Sequence, residues 1–247
     1  MKLNENYFIV TGAGSGIGQS VCEILIANNA KVIGVDLKLD TVPTGVIGYQ
    51  GDVSDLDFVQ NILDFAATHW PRVDCFVANA GFAYFGDFLT DEKQNEAAIN
   101  RIFQTNTLSP IRTYKEIHSR FGGKAKLVQV ASAMAYLPLP SYALYSATKA
   151  ALHAFSKSVR WESGESSTLM TVYPIATRTQ FFQTGAHLPW PSQAPLTVAK
   201  QIVRGIESDA RTVSPSVVFT LFWTFARALP FLGSIYQWIE HKRNTKR

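Results

Sequence analysis

The chain has 247 residues, 47% of them hydrophobic, which is enough for one large core. No repeat, low-complexity linker or composition break marks a second domain. Its formal charge of +4 does not indicate nucleic acid: Lys242, Arg243, Lys246 and Arg247 supply it, residues 1–241 balance at zero, and no basic stripe interleaved with exposed aromatics occurs in the body. Two cysteines and five scattered histidines (His69, His118, His153, His187 and His241) have no ligand spacing, so neither a metal nor a disulfide is expected.

Tyr7 to Thr11 is a short apolar run that reads as a buried strand; it is too short for a secretory signal, and a reducing cytoplasm is the expected compartment. Gly12-Ala-Gly-Ser-Gly-Ile-Gly18 follows, then Val21, Ile24, Leu25 and Ile26 at helical spacing. Strand, glycine turn and helix are the context of a dinucleotide site. The glycines let the backbone approach a pyrophosphate, and the N–H groups and dipole at the helix start bind the anion. Cys22, in this helix, reads as a small buried apolar residue.

Lys31 to Asp36 is the next strand, and it ends in a carboxylate. An acid there hydrogen-bonds the adenosine ribose 2′-OH and repels a 2′-phosphate. Leu37 and Ser15 supply no cation, and Lys38 points to solvent, so the expected cofactor is NAD rather than NADP. Only sixteen positions separate Asp36 from Asp52, so the Pro43-containing link from Leu39 to Gly48 should replace a crossover helix with a loop. Cys75 sits in a further strand, Val73 to Val77, and also reads as buried. Strands alternating with helices at this spacing predict a single-domain Rossmann-type α/β fold over 1–247: a doubly wound parallel sheet with helices on both faces and right-handed crossovers.

Tyr145 and Lys149 lie four residues apart in Tyr-Ser-Ala-Thr-Lys, on one face of a helix. A free tyrosine has a pKa of roughly 10, and a nearby ammonium favours its anion; about 4 kcal/mol of such stabilisation would make Tyr145 a workable proton-transfer group at neutral pH. The same spacing also fits a helix on which Tyr packs and Lys is solvated. The glycine turn and Asp36 upstream favour the chemical reading.

With these motifs in order, residues 5–180 resemble the short-chain dehydrogenase/reductases. Thr11-Gly12-x-x-x-Gly16-x-Gly18 is similar to the family's cofactor loop, Asp52-Val53 to its adenine-contacting pair, and Asn79-Ala80-Gly81 to its Asn-Ala-Gly after the fourth strand. Asn106, Ser132, Tyr145 and Lys149 fall where the family has its active-site residues. The resemblance implies that Tyr145 exchanges the alcohol proton, and that Lys149 depresses the Tyr145 pKa and bonds the nicotinamide ribose. It implies that Ser132 donates to the substrate oxygen and that Asn106 holds a water linking Lys149 to solvent. Gly12, Ser15, Gly16, Ile17, Gly18, Asp36, Asp52, Val53, Asn79, Ala80, Gly81, Tyr145, Lys149, Pro174, Thr177 and Thr179 are the implied cofactor contacts. Tyr173 to Thr179 departs from the pattern, with Ile175 where glycine is usual; a side chain there crowds the nicotinamide side, while Thr177 and Thr179 still offer polar groups to a carboxamide. Tyr136 is a candidate substrate contact, Tyr142 a packing or capping residue, and His153 a surface or packing residue.

The resemblance implies reversible hydride transfer between a secondary alcohol and a ketone, and a dimer or tetramer. A dihydrodiol-type dehydrogenase acting on a small cyclic diol, and a non-catalytic dinucleotide-binding scaffold, stay open as alternatives. Phe181, Phe182, Leu188 and Trp190 suggest an apolar pocket entrance and so a hydrophobic substrate. In the apolar and basic segment 214–247, Val217 to Ala226 is strongly hydrophobic; Arg227 and Pro230 interrupt the run, and Phe231, Leu232, Ile235, Tyr236, Trp238 and Ile239 continue it. The run is short of the ~20 apolar residues that span a bilayer. It reads as a substrate lid, a subunit contact, or an interfacial helix whose tail makes peripheral contact with anionic phospholipid.

Overall fold

A computed structural model describes residues 1–164, 167–179, 188–214, 216–229 and 231–245. The strands in chain order are β1 (Tyr7–Thr11), β2 (Lys31–Asp36), β3 (Ile47–Gln50), β4 (Cys75–Ala78), β5 (Lys126–Val130), β6 (Leu169–Val172), β7 (Ala176–Thr177), β8 (Ser192–Gln193) and β9 (Thr212–Val213). The helices are α1 (Gly16–Ala27), α2 (Phe58–His69), α3 (Glu96–Phe103), α4 (Ser109–Phe121), α5 (Ala143–Ser163), α6 (Pro195–Glu207), α7 (Val217–Ala228) and α8 (Phe231–Thr245). Seven strands form one parallel sheet in the order β3-β2-β1-β4-β5-β6-β9, and β7 pairs with β8 beside it.

Strand alternation decides what each face buries. Phe8 and Val10 of β1 join Val21, Cys22 and Leu25 of α1 and Val198, Ile202 and Ile206 of α6 in one core. Ile9, with Ile33 and Val35 of β2, joins Phe58, Ile62 and Leu63 of α2 and Ile117 of α4 in the other. Each such fully buried side chain contributes roughly 1.5–3 kcal/mol relative to exposure. The expected doubly wound α/β architecture is therefore what the chain adopts, as a single domain. No helix lies between β2 and β3, because residues 37–46 turn tightly instead, with Val42 N bonding Leu39 O and Val46 N bonding Pro43 O.

The order β1-β4 marks where the strand order reverses, the place at which open α/β sheets bind ligands beyond their strand ends. Between α3 and α4 the helix widens into a π-helical turn, Gln104–Leu108. That turn buries Asn106 and Thr107 beside α5.

Candidate active site

The ends of β1, β4, β5 and β6 open on one cavity of about 460 Å³. Gly12, Ser15, Gly16 and Ile17 form one wall; Asn79, Ala80 and Gly81 come from the end of β4; Ser132, Tyr145 and Lys149 stand opposite; Pro174, Thr177 and Thr179 close it after β6. These are most of the residues singled out from sequence.

The glycine turn is built by close backbone approach. A Cβ on Gly18 would stand 2.0 Å from the Gly12 carbonyl oxygen, and Gly12 itself has φ +68. Thr11 Oγ1 accepts from Asn79 N and Ala80 N at 3.1 and 3.0 Å, and Asn79 Nδ2 donates to Thr11 O at 3.0 Å, which joins the end of β1 to the end of β4. Ser15, at the start of α1, makes no side-chain cap, so no side chain competes for the first-turn N–H groups. This cradle fits a dinucleotide pyrophosphate: side chains are missing where they would fill it, and the helix start supplies the donors.

Asp36 holds the edge of the turn. Its Oδ2 accepts from Gly14 N and its Oδ1 from Leu37 N, both at 2.8 Å, and Thr41 Oγ1 donates to Gly14 O at 2.6 Å. Asp36 does not line the cavity itself. Asp52 is also outside it, accepting from Ser54 N and Oγ at 2.8 and 2.7 Å, with Val53 buried next to it.

On the reactive side, α5 carries Tyr145 and Lys149 one turn apart, both buried. Ser132 hydrogen-bonds the phenol, and its Oγ also accepts from Met134 N at 3.1 Å. Lys149 Nζ donates to Val130 O at 2.8 Å and lies 5.6 Å from the Tyr145 ring centroid. The expected depression of the Tyr145 pKa by Lys149 needs correction. Burial pushes the phenol up to about 12 against the opposing Ser132 hydrogen bond, and burial brings the Lys149 ammonium down to about 7. Desolvation favours the neutral form of both groups.

The Lys149 shift has a measurable sign. The unfolded amine keeps its proton up to its ordinary value of 10.5, the folded one only to about 7. Between these values the unfolded chain binds more protons, so this lysine makes stability rise with pH across that window. Tyr145 acts in the opposite sense, but only between 10 and about 12. Urea melts at pH 7 and pH 9 should show a larger gain for the native sequence than for Lys149→Met; equal gains would remove the assigned shift.

Asn106 is fully buried behind the cavity. Its Oδ1 accepts from Phe82 N at 3.1 Å, and its Nδ2 donates to Phe82 O at 2.8 Å and Thr148 Oγ1 at 3.2 Å. With these bonds made, the side chain clamps the loop after β4. Thr107 Oγ1 donates to Thr148 O at 3.1 Å, so the π-helical turn fixes α5 one residue before Lys149.

Of the other expectations, the one for Tyr136 shifts, while His153 and Tyr142 pack as expected. Tyr136 faces away from the cavity, packing on His153 and Tyr173 with ring centroids 4.6 and 4.8 Å apart, around a separate hollow of about 540 Å³. His153 is half-buried there and bonds Tyr173 Oη at 2.9 Å. Tyr142 packs on Phe85, 5.2 Å between centroids, and caps nothing with its side chain. Ile175 does line the cavity, and Thr177 Oγ1 turns inward to Ile175 O at 2.9 Å.

A small apolar chamber adjoins Ser132 and Met134, walled by Leu137, Leu139, Ile175, Pro189, Phe219 and Tyr236. Tyr236 Oη donates to Trp190 O at 2.8 Å, tying α8 to that wall. Leu188 is half-buried and Trp190 exposed, while Phe181 and Phe182 lie outside the described residues. Phe82, Ala83, Val130, Ala131, Met134 and Ala176 also line the cavity and are not singled out by the sequence motifs. Val130 and Ala131 end a parallel strand, which is a usable signal; Thr11 opens the glycine-loop motif, and Thr148 carries no signal.

Fold and site together define a dinucleotide-binding oxidoreductase frame. The family model for the short chain dehydrogenases matches residues 6–187, and the chain belongs to that family. The versicolorin reductase of Emericella nidulans is 28% identical over 98% of this chain and 94% of its own length. A short chain dehydrogenase from Burkholderia cenocepacia in complex with NADP superposes with a TM-score of 0.78 at 21% identity, covering 92% of this chain and 95% of that one. A short chain dehydrogenase/reductase from Burkholderia phymatum in complex with NAD gives 0.79 at 18%, with the same coverage. The two neighbours hold different dinucleotides, so they share the fold without choosing the cofactor.

Proposed function

We propose that this oxidoreductase is NAD(H)-dependent and interconverts a ketone and a secondary alcohol on a hydrophobic substrate, with reduction favoured at neutral pH. The observation that carries this reading is the meeting of Tyr145, Ser132 and Lys149 in one cavity, whose wall at Ser132, Met134 and Ile175 is shared with an apolar chamber. Bound dinucleotide supplies or accepts the hydride. The glycine turn holds its phosphates, and Asn79, Ala80, Pro174 and Thr177 flank the rest.

Tyr145 is the proton donor. A phenol at about 12 is fully protonated at neutral pH, which suits a general acid delivering its proton to a carbonyl oxygen that becomes alkoxide-like. Ser132 donates to the same oxygen and stabilises the developing charge. Lys149, when protonated, favours the resulting phenolate from one helical turn away. The apolar chamber, about 40 Å³, takes only one small apolar group of the substrate, and the rest lies in the main cavity. A relative named for reducing versicolorin supports the reductive direction.

The test is oxidation of NADH and of NADPH by the full chain against aromatic and aliphatic ketones, and NAD reduction with secondary alcohols and cyclic diols. Turnover should be larger with NADH and with apolar ketones. Activity confined to small polar diols would replace the substrate reading. Asp36 underlies the cofactor preference, since its carboxylate at the edge of the glycine turn repels a 2′-phosphate. Asp36→Ala should raise Kd for NADH and narrow its advantage over NADPH by about tenfold, on the order of 1.4 kcal/mol. A native protein that already favours NADPH would defeat the assignment.

A further inference from the structure

The α7–α8 hairpin has a settled inner side. Ala226 and Glu240 are buried, Phe222 meets Tyr236 with ring centroids 5.8 Å apart, and Gln237 Nε2 donates to Pro138 O at 2.8 Å. Its other side is bare. Among the described residues, nine of the sixteen exposed large hydrophobic side chains fall within 217–239. On α7, Leu221 and Phe225 are one turn apart; on α8, Phe231, Ile235 and Trp238 form a stripe at the same helical spacing. A monomer surface rarely concentrates apolar groups in this way without a partner.

Charge identifies the partner. Segment 214–247 contains one acid, Glu240, which is buried and paired with Arg243 at 2.9 Å. Lys242 continues the α8 stripe, its Nζ 4.0 Å from the Trp238 ring centroid, and Lys246 and Arg247 follow in sequence. The apolar stripe thus leads into a basic end, and segment 214–247 carries five Lys and Arg residues against one acid. A second copy contributing the same face about a two-fold axis would bring the same cations to the contact. Anionic headgroups offset them. No helix among the described residues is long and apolar enough to cross a membrane, so contact must be along the surface.

We propose that the outer face of α7–α8 seats this protein on an anionic lipid surface, with Phe225, Ile235 and Trp238 at headgroup depth and the α8 cations against phosphate. The test is co-sedimentation of the full chain with vesicles of phosphatidylcholine plus phosphatidylglycerol, and with phosphatidylcholine alone, at low and high salt. The native chain should pellet with the anionic vesicles and less so as salt rises. The double substitution Phe225→Gln and Trp238→Gln should lower partitioning by about tenfold or more, with melting temperature and dinucleotide affinity unchanged. Lys242→Glu, a single exposed change, should lower it by at least about fivefold, and it carries the test if the double variant fails to fold. No pelleting of the native chain with anionic vesicles would overturn the proposal, as would equal pelleting of folded Lys242→Glu. Loss of a native dimer in the double variant, with no vesicle binding by the native chain, would reassign the face to a subunit contact.

Discussion

Tyr145→Phe is expected to lower kcat by about 10²–10⁴-fold while leaving the dinucleotide Kd within about twofold, because one oxygen is removed and nothing else. The ring belongs to a packed cluster with Met134, Leu139, Tyr142 and Leu144, so phenylalanine keeps the same contacts. What disappears is the proposed proton donor and the hydrogen bond with Ser132. Ser132 and Lys149 keep their own bonds to Met134 N and Val130 O, so the cavity wall stays in place. Steady-state turnover and fluorescence titration of the dinucleotide separate the two effects. Near-normal turnover would mean that Tyr145 is a packing residue and that the proton comes from elsewhere.

Gly18→Ala should abolish measurable dinucleotide binding, a loss of about 100-fold or more, and destabilise the fold by ~1–3 kcal/mol. The added Cβ would lie 2.0 Å from Gly12 O and 2.6 Å from Asn79 Nδ2. Relief requires moving the glycine turn or breaking the bond from Asn79 to Thr11 O, and either change spoils the pyrophosphate cradle. Gly122→Ala is the control: it lies at the end of α4 with φ +58 and has nothing within 4 Å of its would-be Cβ. It should cost ~1–2 kcal/mol of left-handed strain and leave binding intact. Calorimetric titration and thermal melting distinguish the pair; tight binding by Gly18→Ala would show that the turn has a different job.

Local patterns are legible in the amino-acid order itself. Strand, glycine turn and helix follow one another within Tyr7–Ala27, so the first unit is set by neighbours in the chain. Tyr145 and Lys149 share a face because helical spacing places them there. Pro43 and the short interval up to Asp52 leave no room for a helix in the second crossover, which is what β2 and β3 adopt. What stays hidden depends on contacts between distant segments. The Tyr145 and Lys149 shifts come from burial under elements far away in sequence. Asn106 turns to Phe82 because a π-helical turn inserts there, and nothing in Gln-Thr-Asn-Thr-Leu announces one. Tyr136 lies four residues beyond Ser132, yet a short 3₁₀ turn, Ala133–Ala135, swings it toward His153 and away from the cavity. In the apolar run after Val217 the interruption and a lid role are legible, but not that Phe219 of α7 and Tyr236 of α8 are the residues that wall the chamber beside Ser132.

The proposed reaction delivers hydride and proton together in the cavity where Tyr145 and Ser132 meet. Incubating the full chain with an apolar aryl ketone and NADH deuterated at C4 tests it most directly. Mass spectrometry of the alcohol should find deuterium on the carbinol carbon for the native chain and almost none for Tyr145→Phe. If the ketone returns unreduced although calorimetry shows the dinucleotide bound, or if the phenylalanine variant labels the alcohol equally well, the proton-donor account is contradicted.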